Sequence, residues 1–159
     1  MNLYLDVDGV ISPVTHHEPG DFSDWQDEQF FRYSPQMVAL LSSLEVTPHW
    51  LTTWREQANT VLTPIFNWEP LDVLERHPEL FWWKLESLGR IQRCDEPFIW
   101  IDDELDERRA DGYADILLER YRAPFLLISP DPHVGLSLRD IDTIEEFIRV
   151  NASYQSAGA

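Results

Sequence analysis

Leu3-Tyr4-Leu5-Asp6-Val7-Asp8-Gly9 is a short apolar run that ends in two carboxylates and a glycine. Such a run, bounded by a turn signal, reads as a buried strand entering a loop. Related patterns recur downstream. Thr47-Pro48-His49-Trp50-Leu51 runs into Thr52-Thr53, and Phe98-Ile99-Trp100-Ile101 runs into Asp102-Asp103-Glu104. Phe125-Leu126-Leu127-Ile128 is a further strand, and a short one is expected near residues 71–74. Helical patterns separate them. Ser34-Pro35 supplies an N-cap and a first-position proline ahead of Met37, Leu40, Leu41 and Leu44. Further helices are expected over residues 55–62, 79–93 and 106–121, the last weakened by Gly112. Ile141, Ile144, Phe147 and Ile148 mark a final amphipathic helix.

Strands separated by helices predict an α/β fold: a three-layer, Rossmann-like parallel sheet flanked by helices. In such sheets ligands sit beyond the carboxyl ends of the strands. Asp6/Asp8, Thr52 and Asp102/Asp103 all fall at that edge, and this convergence says more than any one motif.

The 159 residues suit one domain, expected over residues 1–150. Residues 12–33 read as an irregular flap inserted after the first motif, and residues 151–159 as a flexible tail. No apolar run approaches the roughly 18 residues of a membrane span. The start Met1-Asn2-Leu3-Tyr4 has no basic leader, and the single Cys94 offers no internal disulfide, which together predict a cytoplasmic protein. A formal charge of −17 disfavours extended nucleic-acid binding, while leaving room for one phosphorylated end held through a cation.

Asp6 and Asp8 suit phosphoryl transfer. One carboxylate attacks phosphorus, and the other serves as general acid and base. Gly9 permits a tight turn that brings backbone N–H groups close to a phosphate. The same residues also suit a plain acidic turn. Thr52 and Thr53 place hydroxyls where a phosphate oxygen could accept them, although threonine is also an ordinary strand residue. Adjacent Asp102 and Asp103 repel unless a cation lies between them, and Mg²⁺ takes oxygen ligands from one or two carboxylates. They equally suit a helix N-cap. Lys84, within Trp82-Trp83-Lys84-Leu85, is a scarce cation in an apolar patch, able to offset carboxylates and phosphate.

Asp6-Val7-Asp8-Gly9-Val10, then Thr52, Lys84 and Asp102-Asp103, resemble in order and spacing the four motifs of the haloacid dehalogenase superfamily, over residues 3 to about 130. The resemblance implies a magnesium-dependent phosphatase of that fold. Asp6 would be the nucleophile and Asp8 the general acid/base. Thr52 and Lys84, with Thr53 and Gly9 beside them, would hold the phosphate. Mg²⁺ would be bound by Asp6, Asp102 and the backbone carbonyl of Asp8, with Asp103 as a further or water-mediated ligand. Asp8 argues against the dehalogenase branch. Trp50-Leu51-Thr52-Thr53-Trp54, Ala58-Asn59 and Trp100-Ile101-Asp102-Asp103 are similar to a subgroup that includes domains joined to RNA-repair enzymes. Members of the family often carry a cap domain, but residues 12–33 are too short for a folded cap and residues 64–77 are shorter still, which implies a capless or minimally capped member.

The expected substrate is a phosphomonoester on a nucleotide or oligonucleotide end. A small-metabolite phosphatase or a phosphotransferase is the alternative within this chemistry, and a non-catalytic binding or regulatory domain the alternative outside it. His16-His17 do not suit Mg²⁺ and read as a solvated loop pair. Most tryptophans are expected in the core. Trp25 and Trp54 flank motif positions and are the two expected to line the site.

Overall fold

The computed structural model describes residues 1–14, 20–76 and 82–156. Chain order runs β1 (Asn2–Leu5), β2 (Gln26–Asp27), β3 (Arg32–Tyr33), α1 (Pro35–Ser43), β4 (Thr47–Trp50), α2 (Glu56–Phe66) and β5 (Asp72–Val73). It continues α3 (Trp83–Ile91), β6 (Phe98–Ile101), a 3₁₀ turn (Glu107–Asp111), α4 (Tyr113–Arg120), β7 (Phe125–Ile128), α5 (Leu138–Val150) and α6 (Ala152–Ser156). Five strands form one sheet in the order β5-β4-β1-β6-β7, every neighbouring pair parallel. The architecture is α/β, compatible with a Rossmann-like fold. Among the described residues no helix is long and apolar enough to cross a membrane.

Side chains of a strand alternate between faces, and this alternation divides the core into two layers. Leu3, Leu5, Trp50, Ile99 and Ile101 pack with buried residues of α1, α2 and α5. Tyr4, Leu51, Phe98 and Trp100 pack with Leu88 of α3 and Tyr113 and Leu117 of α4. β6 is buried along its whole length, as a central parallel strand covered on both faces must be.

The helix starts follow local chemistry. Ser34 caps α1 by accepting from the Met37 N–H at 3.1 Å, with Pro35 in the first turn. Ser137 and Asp140 form a reciprocal capping box at α5.

Several expected boundaries move. The helix expected to stop at residue 62, ahead of Pro64, continues to Phe66 because Leu62, Thr63 and Phe66 are buried. It ends at Asn67 in the left-handed conformation, φ 55°. The single helix expected over 106–121 is divided by Gly112, φ 78°, into a 3₁₀ turn and α4. The irregular 12–33 stretch contains the antiparallel β2–β3 ribbon, with Gln26 opposite Tyr33. α3 begins at Trp83 rather than 79, and residues 77–81 lie outside the described residues, as do His16-His17. The stretch read as a tail carries α6 as far as Ser156.

Candidate active site

The sheet order places β1 beside β6, with Leu5 opposite Ile101. The chain adds β4 and β5 on one side of β1, then crosses back to place β6 on the other. The crevice beyond β1 and β6 is therefore a topological switch point, where open α/β sheets bind ligands. Asp6 follows β1 there, and Asp102 follows β6.

Period-two alternation also sets their direction. Tyr4 and Trp100 face the α3–α4 layer, so Asp6 and Asp102, two residues on, turn towards α3. Lys84, in the first turn of α3, meets them from that side. Its ammonium donates to Asp6 Oδ2 and, at 2.6 Å, to Asp102 Oδ2. Lys84, Ser87 and Leu88 are all buried, the i, i+3, i+4 spacing of an inward helix face. That spacing is the signal in the sequence that Lys84 faces the core.

The remaining oxygens are also held. Asp6 Oδ1 accepts the Val7 N–H at 2.7 Å, and the Thr52 hydroxyl also donates to Asp6. Asp102 Oδ1 accepts the Glu104 N–H at 3.0 Å. Glu104 stands 3.8 Å from the Lys84 ammonium, a neighbour that motif spacing did not single out. Asp103, half-buried, completes the group: one carboxylate oxygen each from Asp6, Asp102 and Asp103 lie within 4.8 Å of one another.

Electrostatics follow from burial. Burial pushes the Asp6 carboxyl above its usual range, against the pull of Lys84, the Val7 N–H and the Thr52 hydroxyl. Asp102 is pushed up to about 7 by burial and then by the Asp6 charge, with Lys84 opposing. Asp103 is raised to about 6 by burial and by Asp6. Burial alone would lower Lys84, but Asp6 and Asp102 outweigh it, so its pKa rises and it stays charged. Once ionised, these three carboxylates outnumber the single ammonium beside them and leave the crevice with an excess of negative charge. A hard divalent cation with oxygen ligands, Mg²⁺, fits that charge and that donor set.

Gly9 adopts φ 71°, and a Cβ there would collide with the Asp103 carboxylate. A side chain at position 9 would thus strain the turn and displace a cluster member. The Gly9 N–H is bonded to the Ser12 carbonyl at 2.8 Å.

Asp8 is exposed beyond the cluster, and its Oδ2 accepts the indole N–H of Trp54 at 3.0 Å. Its carboxylate is thus separate from the Asp6–Asp102–Asp103 group. Thr52 is buried, and Thr53 points outward on the next turn. Trp25 packs on Phe22 and lies under the Arg32 guanidinium, 5.4 Å from its ring centre. A cavity of about 450 Å³ opens beside Asp8, walled by the ribbon residues Asp27, Glu28, Phe30 and Arg32. Phe30 is 71% exposed at its rim. Nothing in the period of residues 12–33 signalled this wall, because its strands are only two residues long.

Comparisons with protein-family models, with curated proteins and with solved structures give no match to this chain.

Proposed function

We propose that this chain is a magnesium-dependent phosphohydrolase of the haloacid dehalogenase type, cleaving a phosphomonoester through an aspartyl-phosphate on Asp6. The observation that carries the reading is the carboxylate group Asp6, Asp102 and Asp103 within 4.8 Å, bridged by the buried ammonium of Lys84. A retired binding domain would have no reason to keep so much like charge in a crevice where each carboxylate disfavours the others.

Asp6 is suited to attack because it closes a rigid central strand, remains 5% exposed and is oriented by three donors. An oxygen of Asp6 bonds to phosphorus as the ester P–O bond breaks, and Asp8 gives its proton to the departing oxygen. Asp8, now a carboxylate, takes a proton from water, whose oxygen displaces Asp6 from phosphorus and releases inorganic phosphate. Lys84 and the Thr52 hydroxyl stand where they could donate to phosphate oxygens and offset the charge that develops there. Bound Mg²⁺ would supply charge neutralisation and orientation of the phosphate, held by Asp6 and Asp102, with the Asp8 carbonyl and Asp103 as further ligands.

The substrate proposed is a terminal phosphomonoester on a nucleotide or short oligonucleotide end. The cavity beside Asp8 is open, and Phe30 offers a ring on which a base could stack. Asp27 and Glu28 on the same wall, and the net charge of −17, disfavour a long phosphate backbone. Turnover should therefore change little with oligonucleotide length beyond the first few nucleotides.

The test is p-nitrophenyl phosphate hydrolysis with and without Mg²⁺, for the wild type and Asp6→Asn. Magnesium-dependent turnover is expected, falling to background in the variant while its melting curve stays cooperative. Retention of more than a few per cent of activity by Asp6→Asn would refute covalent catalysis. A panel of 3′- and 5′-phosphorylated oligonucleotides, mononucleotides and sugar phosphates then fixes the class. Preference for sugar phosphates over every nucleotide-based substrate would replace this reading with a metabolite phosphatase.

A further inference from the structure

Asp8 poses a problem for general-acid catalysis. It is exposed, and the torsion that turns a carboxyl group about its last bond is broad and nearly two-fold. Left alone, either oxygen could carry the proton, and the group would sample orientations in which the proton points into solvent. Among the described residues its side-chain hydrogen-bond partner is Trp54, whose Nε1 lies 3.0 Å from Asp8 Oδ2. An indole N–H can donate but cannot accept. The carbonyl oxygen of a protonated carboxyl is a better acceptor than its hydroxyl oxygen, so a donor on Oδ2 favours the form that carries the proton on Oδ1.

Trp54 is itself well placed to set that orientation. Its backbone N–H is bonded to Thr52 Oγ1 at 3.3 Å. Its ring meets Phe31 edge to face, with centroids 5.9 Å apart, and Phe31 packs in turn on Phe66 of α2. The next residue, Arg55, holds φ 50°, a left-handed region costly for a residue with a side chain. The turn after β4 is therefore held by contacts rather than by easy backbone geometry, and it presents the indole to Asp8.

We infer that Trp54 is a positioning residue for general-acid catalysis: its indole N–H holds Asp8 Oδ2, so that the leaving oxygen takes its proton from Oδ1. The inference rests on the phosphohydrolase reading. As the P–O bond breaks, the proton passes from Oδ1 to the departing alcohol and Asp8 becomes a carboxylate. The indole bond persists through that step and strengthens, because hydrogen bonds to an ionised acceptor are the stronger kind. In the second half-reaction the same bond leaves Oδ1 free to take the proton from water.

The experiment compares kcat/KM of wild type, Trp54→Phe and Asp8→Asn for two substrates at saturating Mg²⁺. p-Nitrophenyl phosphate has a leaving group that departs without protonation, whereas ethyl phosphate has one that needs a proton. Because kcat/KM covers only the steps through departure of the leaving group, later hydrolysis of the aspartyl-phosphate does not enter. Asp8→Asn should lose far more on ethyl phosphate than on p-nitrophenyl phosphate. Trp54→Phe, which keeps the ring and loses the donor, should show the same selectivity, with a loss at least tenfold greater on the alkyl ester. In the Asp8→Asn background, Trp54→Phe should add no further selectivity. An equal proportional loss on both esters, with an unchanged melting curve, would show that Trp54 only packs, and would overturn the inference while leaving the phosphohydrolase reading in place. Absence of wild-type turnover on both esters would overturn the two together. Should Trp54→Phe fail to fold, the bond is read in Asp8→Ala instead, where the indole N–H resonance of Trp54 should move upfield; an unmoved resonance overturns the inference.

Discussion

β1 and β6 are neighbours of equal length, and three of the four side chains of β1 and all four of β6 are buried. Each is followed by an aspartate that Lys84 contacts. Their ends nevertheless differ. Asp102 is fully sealed, and its oxygens are bonded to Lys84 and to the Glu104 N–H of its own loop. Asp6 keeps a slight opening to solvent and is followed by the Val7–Gly9 turn and the exposed Asp8. Two strands of similar chemistry thus end in one carboxylate at the back of the crevice and one at its mouth. The difference lies in the loops, since a loop that folds over its own aspartate closes it and a loop that turns away leaves it open.

Removing the cation between the two ends should have the largest effect. Lys84→Met leaves Asp6 and Asp102 buried and unpaired, a change that costs about 3–5 kcal/mol. Urea unfolding in EDTA measures it. A loss of about 1 kcal/mol or less, the size of a surface ion pair, would mean that Lys84 does not bind the two ends together.

The next test separates Asp102 from Asp103. Asp102→Ala should raise the Mg²⁺ requirement or abolish turnover, and Asp103→Ala should do less. Identical magnesium titrations for the wild type and Asp102→Ala would remove Asp102 from the ligand set.

A third expectation concerns pH. Asp6, Asp102 and Asp103 have folded-state pKa values above the ordinary value of 3.8, with Asp102 at about 7 and Asp103 at about 6. Between roughly pH 4 and 7 the folded state therefore binds more protons than the unfolded one, and stability falls as pH rises through that window. In EDTA the melting temperature should be higher at pH 5.5 than at pH 8, and Asp102→Asn should flatten the slope. An unchanged slope in that variant would assign the effect to the general acidic charge instead. Mg²⁺ should weaken or reverse the slope, because it stabilises the ionised carboxylates.

The smallest effect lies on β4, where His49 stands opposite Tyr4 of β1. His49 stacks on Tyr4 at 5.3 Å, and burial lowers its pKa below the ordinary 6.5, with Asp72 opposing. Here the unfolded state binds the proton first, so this contribution is lost as pH falls below about 6.5. It runs opposite to the site carboxylates. His49→Gln should remove a small acid-side loss of stability from melting curves between pH 5 and 7, and no change there would mean that the imidazole is not held neutral.

Much of this was legible locally. Apolar runs marked β1, β4, β6 and β7, the polar residues at three of their ends marked a site edge, and Ser34-Pro35 marked the start of α1. Capping, alternation and strand termination depend on residues a few positions apart, so the sequence alone determined them. It also determined which residues carry charge at the carboxyl ends. Tertiary structure alone decided that β6 lies beside β1, which brings Asp102 to Asp6 across 96 positions of chain. It alone brought the inward face of α3 over the crevice so that Lys84 meets both Asp6 and Asp102, set the Trp54 indole on Asp8 and folded residues 26–33 into a wall beside it. These outcomes depend on strand order and side-chain packing between distant segments, which no short-range period in the sequence records.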